Sequence, residues 1–153
     1  MQALELKVPP PVVALLVAVA MWGVASVTAR IEMPVLVRAS AALAFAIAGI
    51  AVALSGVIAF RRARTTVSPV KPDAASSLVT SGVYRFTRNP MYLGLCLWLL
   101  AWACFLSSAL AFLGPILFIL YINRFQIVPE EAVLSRIFGP AFSNYQAKVR
   151  RWL

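Results

Sequence analysis

Residues 89–123 read NPMYLGLCLWLLAWACFLSSALAFLGPILFILYIN, a run of 35 residues without a single Asp, Glu, Lys or Arg. A helix crossing the hydrocarbon core of a bilayer needs about 20 predominantly apolar residues, so this run is too long for one span. Ser107 and Ser108 fall near its middle, with Gly114 and Pro115 beyond. The run therefore reads as a tight helical hairpin of two spans, about 90–106 and 109–126. Outward from it, residues 39–60 and 8–29 are equally free of charge and hold one span each, about 36–60 and 12–29. The expected fold is an all-α polytopic membrane protein. It has four transmembrane helices, a C-terminal helical hairpin and amphipathic interfacial tail helices, forming a single membrane domain over 1–153. Composition agrees, with 62% hydrophobic and 12% charged residues against about 25% charged in soluble domains.

The first apolar run follows Pro9-Pro10-Pro11 and only Lys7 as a charged flank, which favours an uncleaved span over a signal peptide. Charge sets the orientation, because Lys and Arg stay on the cytoplasmic side of short loops. The loop at 61–89 carries Arg61, Arg62, Arg64, Lys71, Arg85 and Arg88 against Asp73 alone. The tail at 128–153 carries Arg136, Lys148, Arg150 and Arg151. Both are expected inside, and the nearly balanced loop with Arg30, Glu32 and Arg38 outside. A bacterial inner membrane, with the active site facing the cytoplasm, is the expected location. The net charge of +9 then means attraction to anionic headgroups, not to nucleic acid. With no histidine in the chain, no metal site can be assembled, and Cys96 and Cys104 read as packing residues within a span.

Three segments carry chemistry. In the cytoplasmic loop, Gly82 before Tyr84 suggests a turn that lets backbone approach something closely, and Tyr84 and Phe86 offer aromatic faces. Asn89 and Pro90 are favoured residues for the cap and first position of a helix, while Arg88 and Tyr92 lie four apart on one face. Pro129-Glu130-Glu131 again looks like a helix start, with the two acids offsetting the helix dipole. The tail reads as two short helices split at Gly139-Pro140. Phe142, Tyr145, Val149 and Trp152 recur at amphipathic spacing in the second, as an interfacial anchor or a lid. Closing the hairpin brings Arg88, Asn89 and Tyr92 beside Asn123, Arg124, Glu130 and Glu131. A zwitterionic cofactor carrying a sulfonium would find opposite charges there.

The stretch LVTSGVYRFTRNPMYLG at 78–94, followed by Glu130-Glu131 and the ending from Phe138-Gly139 to Tyr145, resembles the isoprenylcysteine carboxyl methyltransferases and the related phospholipid methyltransferases. The resemblance spans residues 61–152. It implies transfer of a methyl group from S-adenosylmethionine to a lipophilic acceptor that enters sideways from the bilayer. It also implies cofactor binding by Leu78, Val79, Gly82, Tyr84, Arg88, Asn89, Pro90, Tyr92, Gly94, Glu130 and Glu131. One departure stands out: the family's usual histidine is Asn89 here, which positions by hydrogen bonding but cannot titrate near neutral pH. By position, Arg124 and Asn123 are the expected catalytic residues, with Arg124, Arg150 or Arg151 fixing an anionic acceptor. A prenylated cysteine carboxylate, a phospholipid amine, a small thiol or another lipophilic molecule all remain open as that acceptor.

The rival enzyme is an NADPH-dependent membrane reductase of the sterol type, whose similar box has an acid soon after its glycine. Here Leu95, Cys96 and Leu97 follow Gly94. A transporter would need an ionisable residue within a span, and all five acids lie outside the expected spans. A purely structural protein leaves the paired motifs unexplained.

Overall fold

The computed structural model describes residues 5–63 and 77–153. Of the expected cytoplasmic loop, Arg64, Lys71 and Asp73 lie outside the described residues. Everything described is helix or connection, without a strand. Six α-helices follow in order: α1 (Pro10–Val27), α2 (Val35–Arg62), α3 (Pro90–Leu106), α4 (Leu113–Ile122), α5 (Val128–Phe138) and α6 (Pro140–Lys148). Short 3-10 turns occupy Gly82–Arg85 and Ala109–Phe112. A π turn at Asn123–Ile127 joins α4 to α5.

Among the described residues, three helical segments are long and apolar enough to cross a membrane: Pro10–Val27, Val35–Arg62 and the continuous run Ala109–Phe138, while Pro90–Leu106 is a shorter apolar helix. Their outer surfaces fit that reading. Leu15, Leu16, Val19, Leu36, Leu43, Ile47 and Leu54 are all exposed. In water such a surface would drive aggregation, whereas acyl chains are as apolar as leucine.

Inside the bundle, small residues set the helix spacing. A Cβ at Gly94 would fall 2.7 Å from both the Gly49 carbonyl oxygen and the Ala53 Cβ, and one at Gly49 would meet Gly94 at 2.8 Å. The backbones of α2 and α3 thus touch through paired glycines, as expected where dispersion between close helices drives association. A core of Met21, Tyr92, Cys96, Leu99, Phe118 and Ile122 joins α1, α3 and α4.

The Ser107-Ser108 pair makes the reversal. Ser107 takes a left-handed φ of 53°, an uncommon state for a residue with a Cβ. It is held there from both sides, because Ile31 N–H donates to its carbonyl (2.7 Å) and its Oγ donates to the Ile31 carbonyl (2.9 Å). Ser108 Oγ lies 2.9 Å from Thr28 Oγ1. The serines therefore stitch the α1–α2 connection to the turn.

At the far end α5 opens at Val128 with Pro129, Glu130 and Glu131 in its first turn, as expected, but no break precedes it. The chain stays helical from Ala109 to Phe138, with the π turn absorbing the proline. Pro129 has no N–H to donate to the Phe125 carbonyl four residues back, and that carbonyl accepts Leu6 N–H instead, at 3.1 Å. Gly139, at φ 47°, ends α5 and turns the chain into α6.

Candidate functional site

The corner that enters α3 and the first turn of α5 build one polar cluster. Arg88 Nη2 donates to Glu131 Oε1 at 2.8 Å, and Arg151 donates to both Glu131 oxygens, from Nε at 3.2 Å and Nη2 at 2.6 Å. Beside this triad, Tyr92 Oη donates to Glu130 Oε2 at 3.0 Å. The Arg88 and Glu131 side chains are 12% and 15% exposed, so both ions have lost most of their water, and their mutual attraction is little screened.

The two acids therefore do more than offset a helix dipole: no side-chain cap is made at the start of α5. The Asn89 side chain likewise caps nothing, although Asn89 occupies the residue before α3. Its Nδ2 donates to the Arg151 carbonyl at 3.0 Å. This bond is part of a larger pattern. Helix α6 stops at Lys148 and Val149 is extended, so Trp152 does not lie on the amphipathic helix that the spacing predicts. Residues 149–152 form a strap across the α3 corner. Arg88 N–H donates to the Arg150 carbonyl (3.1 Å), Arg88 Nη1 to the Val149 (2.6 Å) and Gln146 (3.1 Å) carbonyls, and buried Thr87 Oγ1 to the Arg151 carbonyl (3.3 Å). Trp152 Nε1 donates to Asn123 Oδ1 at 3.1 Å, tying the strap to the π turn.

A second apolar cluster lies under the strap. Val79, Tyr84, Phe142 and Tyr145 are buried together, with Leu78 packed against them. The apolar face of α6 is thus covered by protein at Phe142 and Tyr145. Tyr145 Oη donates to the Tyr84 carbonyl at 2.7 Å, and the Tyr84 ring sits edge-on to Phe60 at 5.3 Å. Burial pushes the Tyr84 phenol well above its ordinary range, with the Glu130 charge and Tyr145 adding to the effect. Burial pushes Tyr145 up to about 12, against a smaller opposing pull from Arg88. Of the two rings read as faces for an aromatic base, Tyr84 is core and Phe86 is exposed.

Among the other expected residues, Gly82 takes a φ of 63°, so the turn needs glycine for its dihedral. The close approach expected there is not to another described residue, since a Cβ would meet nothing within 4 Å. Pro90 is buried against Gly56, and Gly94 faces α2. Arg124 is turned away from the triad: its Nη1 pairs with Glu5 at 2.9 Å, and its side chain is 48% exposed. Arg88 meets Glu131 and Tyr92 meets Glu130 directly, while Asn89 bonds to Arg151 and Asn123 to Trp152. The strap was not legible in the chain, because its bonds run through backbone carbonyls, which leave no spacing pattern.

Comparison with known proteins bears on what this cluster serves. The sequence pattern of the phospholipid methyltransferases matches residues 36–141, well over half of the chain. The chain belongs to this family. It is 36% identical over 75 residues to a protein-S-isoprenylcysteine O-methyltransferase of Schizosaccharomyces pombe, a match covering 47% of this chain and 30% of that one. A probable protein-S-isoprenylcysteine O-methyltransferase of Oryza sativa subsp. indica is 31% identical over 100 residues, 63% of this chain and 51% of the relative. An uncharacterised protein of Haemophilus influenzae is 56% identical over 63 residues, 41% of this chain and the whole of the relative. The chain therefore spans about a third and about half of the two named methyltransferases. No solved structure matches it. With the apolar helices, family membership makes the chain an integral membrane protein of a methyltransferase family. The reductase alternative finds no support.

Proposed function

We propose that the chain transfers a methyl group from S-adenosylmethionine to a lipophilic acceptor at the cytoplasmic face of a membrane it crosses four times, with spans near 12–29, 36–60, 90–106 and 109–126. The observation that carries the proposal is the Arg88–Glu131–Arg151 triad with the adjoining Tyr92–Glu130 pair, because it unites the two sequence motifs at one end of α3.

The donor set fits such a cofactor. Among the described residues, Arg88 Nε is buried with no hydrogen-bond partner. An unmade bond on a buried guanidinium is costly, and an arriving acceptor group would relieve it. Arg88 and Arg151 would hold a carboxylate, and Glu130 and Glu131 an ammonium. Asn89 acts by positioning, holding the strap at the Arg151 carbonyl. Once bound, the cofactor supplies an electrophilic methyl on a sulfonium.

The chain's own contribution is then orientation and exclusion of water, since methyl transfer to a carboxylate or thiolate needs little acid–base chemistry. Arg124, exposed and paired with Glu5 outside the triad, would orient an anionic acceptor on leaving that pair. The candidate acceptors are a prenylated cysteine carboxylate, a phospholipid amine, a small thiol and another lipophilic molecule. Calorimetry on detergent-purified protein tests the reading. S-adenosylmethionine and S-adenosylhomocysteine should bind in the micromolar range and weaken in Glu131→Gln; binding of NADPH alone would overturn it.

A further inference from the structure

At the opposite end of the bundle lies a cavity of about 300 Å³ that the methyltransferase reading does not use. Trp22 and Ser26 from the end of α1, Arg30 from the connection, Arg38 from the start of α2, and Trp102 and Phe105 from the end of α3 line it. Tyr92 and Phe105 are thirteen helical residues apart on α3, so the cavity lies about 20 Å along the axis from the Tyr92–Glu130 pair. That separation is far beyond the contact distance of a methyl donor and its acceptor.

The chemistry of the lining is specific. Two arginines line one space, and among the described residues neither is in an ion pair. Glu32 lies between them in sequence without pairing to either. The Arg38 guanidinium sits over the Phe105 ring, 5.8 Å from its centroid. The ring attracts the cation through its face, and a guanidinium with five N–H donors keeps donors for a further partner. Trp22 and Phe105 are 60% and 52% exposed on the flank, where acyl chains run. Tryptophan at this depth is the residue of the headgroup boundary.

We infer that this cavity is a binding site for an anionic phospholipid, with the phosphate held by Arg30 and Arg38 and the first part of an acyl chain lying against Trp22 and Phe105. Guanidinium groups hold phosphate through paired N–H bonds, and a tryptophan-bearing apolar flank beside them matches a phosphate that continues into an acyl chain. A free phosphate shares the anion chemistry but has no use for the aromatic flank. The lipid is accordingly the occupant, a structural partner of the α1–α2–α3 end and not the methyl acceptor.

Native mass spectrometry of the full chain, released from micelles doped equally with phosphatidylglycerol and phosphatidylcholine, tests this. Wild type should retain phosphatidylglycerol in preference by about tenfold. Arg30→Gln/Arg38→Gln should lose that preference, while Arg30→Lys/Arg38→Lys keeps part of it. Phosphatidylglycerol brominated on its chain should quench the tryptophan fluorescence of a Trp98→Phe/Trp152→Phe protein, which leaves Trp22 and Trp102. Equal retention of both lipids by wild type, or a preference unchanged in the double glutamine variant, would overturn the site. Displacement of the lipid by inorganic phosphate would overturn the lipid as its occupant.

Discussion

Arg88 reaches Glu131 across 2.8 Å, from the corner before α3 to the first turn of α5, and 43 positions of sequence separate the two. The same carboxylate holds Arg151 from the strap, so one acid joins three segments that share no secondary structure. Glu131→Gln would leave two cations facing each other with a neutral amide between them. Breaking a buried ion pair by removing one partner typically costs about 3–5 kcal/mol, and the 34% exposure of Arg151 puts this case at the lower end. A fall in thermal midpoint, larger than that of Arg124→Ala, is the expected result in detergent.

Arg88→Lys should behave almost as badly, although the charge is kept. The guanidinium makes three contacts in different directions, to the Glu131 carboxylate and to the Val149 and Gln146 carbonyls. An ammonium offers a point charge and no planar fork. S-adenosylhomocysteine affinity should drop by about tenfold or more, on the scale of a lost charge-assisted bond. Affinity within twofold of wild type would remove Arg88 from the cofactor site.

How much of this was legible in the chain differs from residue to residue. The absence of charge in 89–123 marks apolar helices, because a charge in hydrocarbon is costly and its absence shows directly in composition, and Ser107-Ser108 lie where α3 ends. The pairing of Arg88 with Glu131 followed from closing the hairpin. Arg124 was expected in the same cluster on the same argument and is instead paired with Glu5, since sequence places a residue at an end of a helix without fixing its azimuth. Gly94 was carried over as a binding residue and packs on Gly49. Helical glycines look alike in sequence whether a ligand or another backbone needs the space.

That packing makes its own prediction. Gly94→Val would put a Cβ 2.7 Å from the Gly49 carbonyl oxygen, and backbone on both sides cannot step aside cheaply. Overpacking of this kind costs about 1–3 kcal/mol or more. Gly23→Ala is the control, because a Cβ there meets nothing within 4 Å. Thermal unfolding of the two variants should differ clearly, and equal midpoints would mean that α2 and α3 are not in backbone contact.

Tyr145 carries a pH prediction. Its folded-state pKa is raised, to about 12, above the ordinary phenol value of 10.0. A raised value means that stability is fully present below pH 10 and is lost as pH rises from 10 towards 12, because the unfolded chain releases the proton first. Tyr145→Phe lacks the proton and the bond to the Tyr84 carbonyl. It should be less stable at pH 8, by about 1 kcal/mol for the lost bond, and should show a flatter decline above pH 10. Parallel slopes in the two proteins would contradict the assignment.

Arg124 separates the proposed chemistry from the architecture. Its ion pair with Glu5 joins side chains 48% and 26% exposed, and such surface pairs contribute about 0–1 kcal/mol. Arg124→Ala should therefore leave the thermal midpoint and the affinity for S-adenosylhomocysteine nearly unchanged. If the side chain orients an anionic acceptor, the variant should raise the KM for that acceptor, and Glu5→Gln, which frees the guanidinium, should lower it. The opposed signs matter, because a merely structural pair would move both variants in the same direction. Unchanged turnover and unchanged KM in Arg124→Ala would leave acceptor binding to Arg150 or Arg151 and take Arg124 out of the reaction.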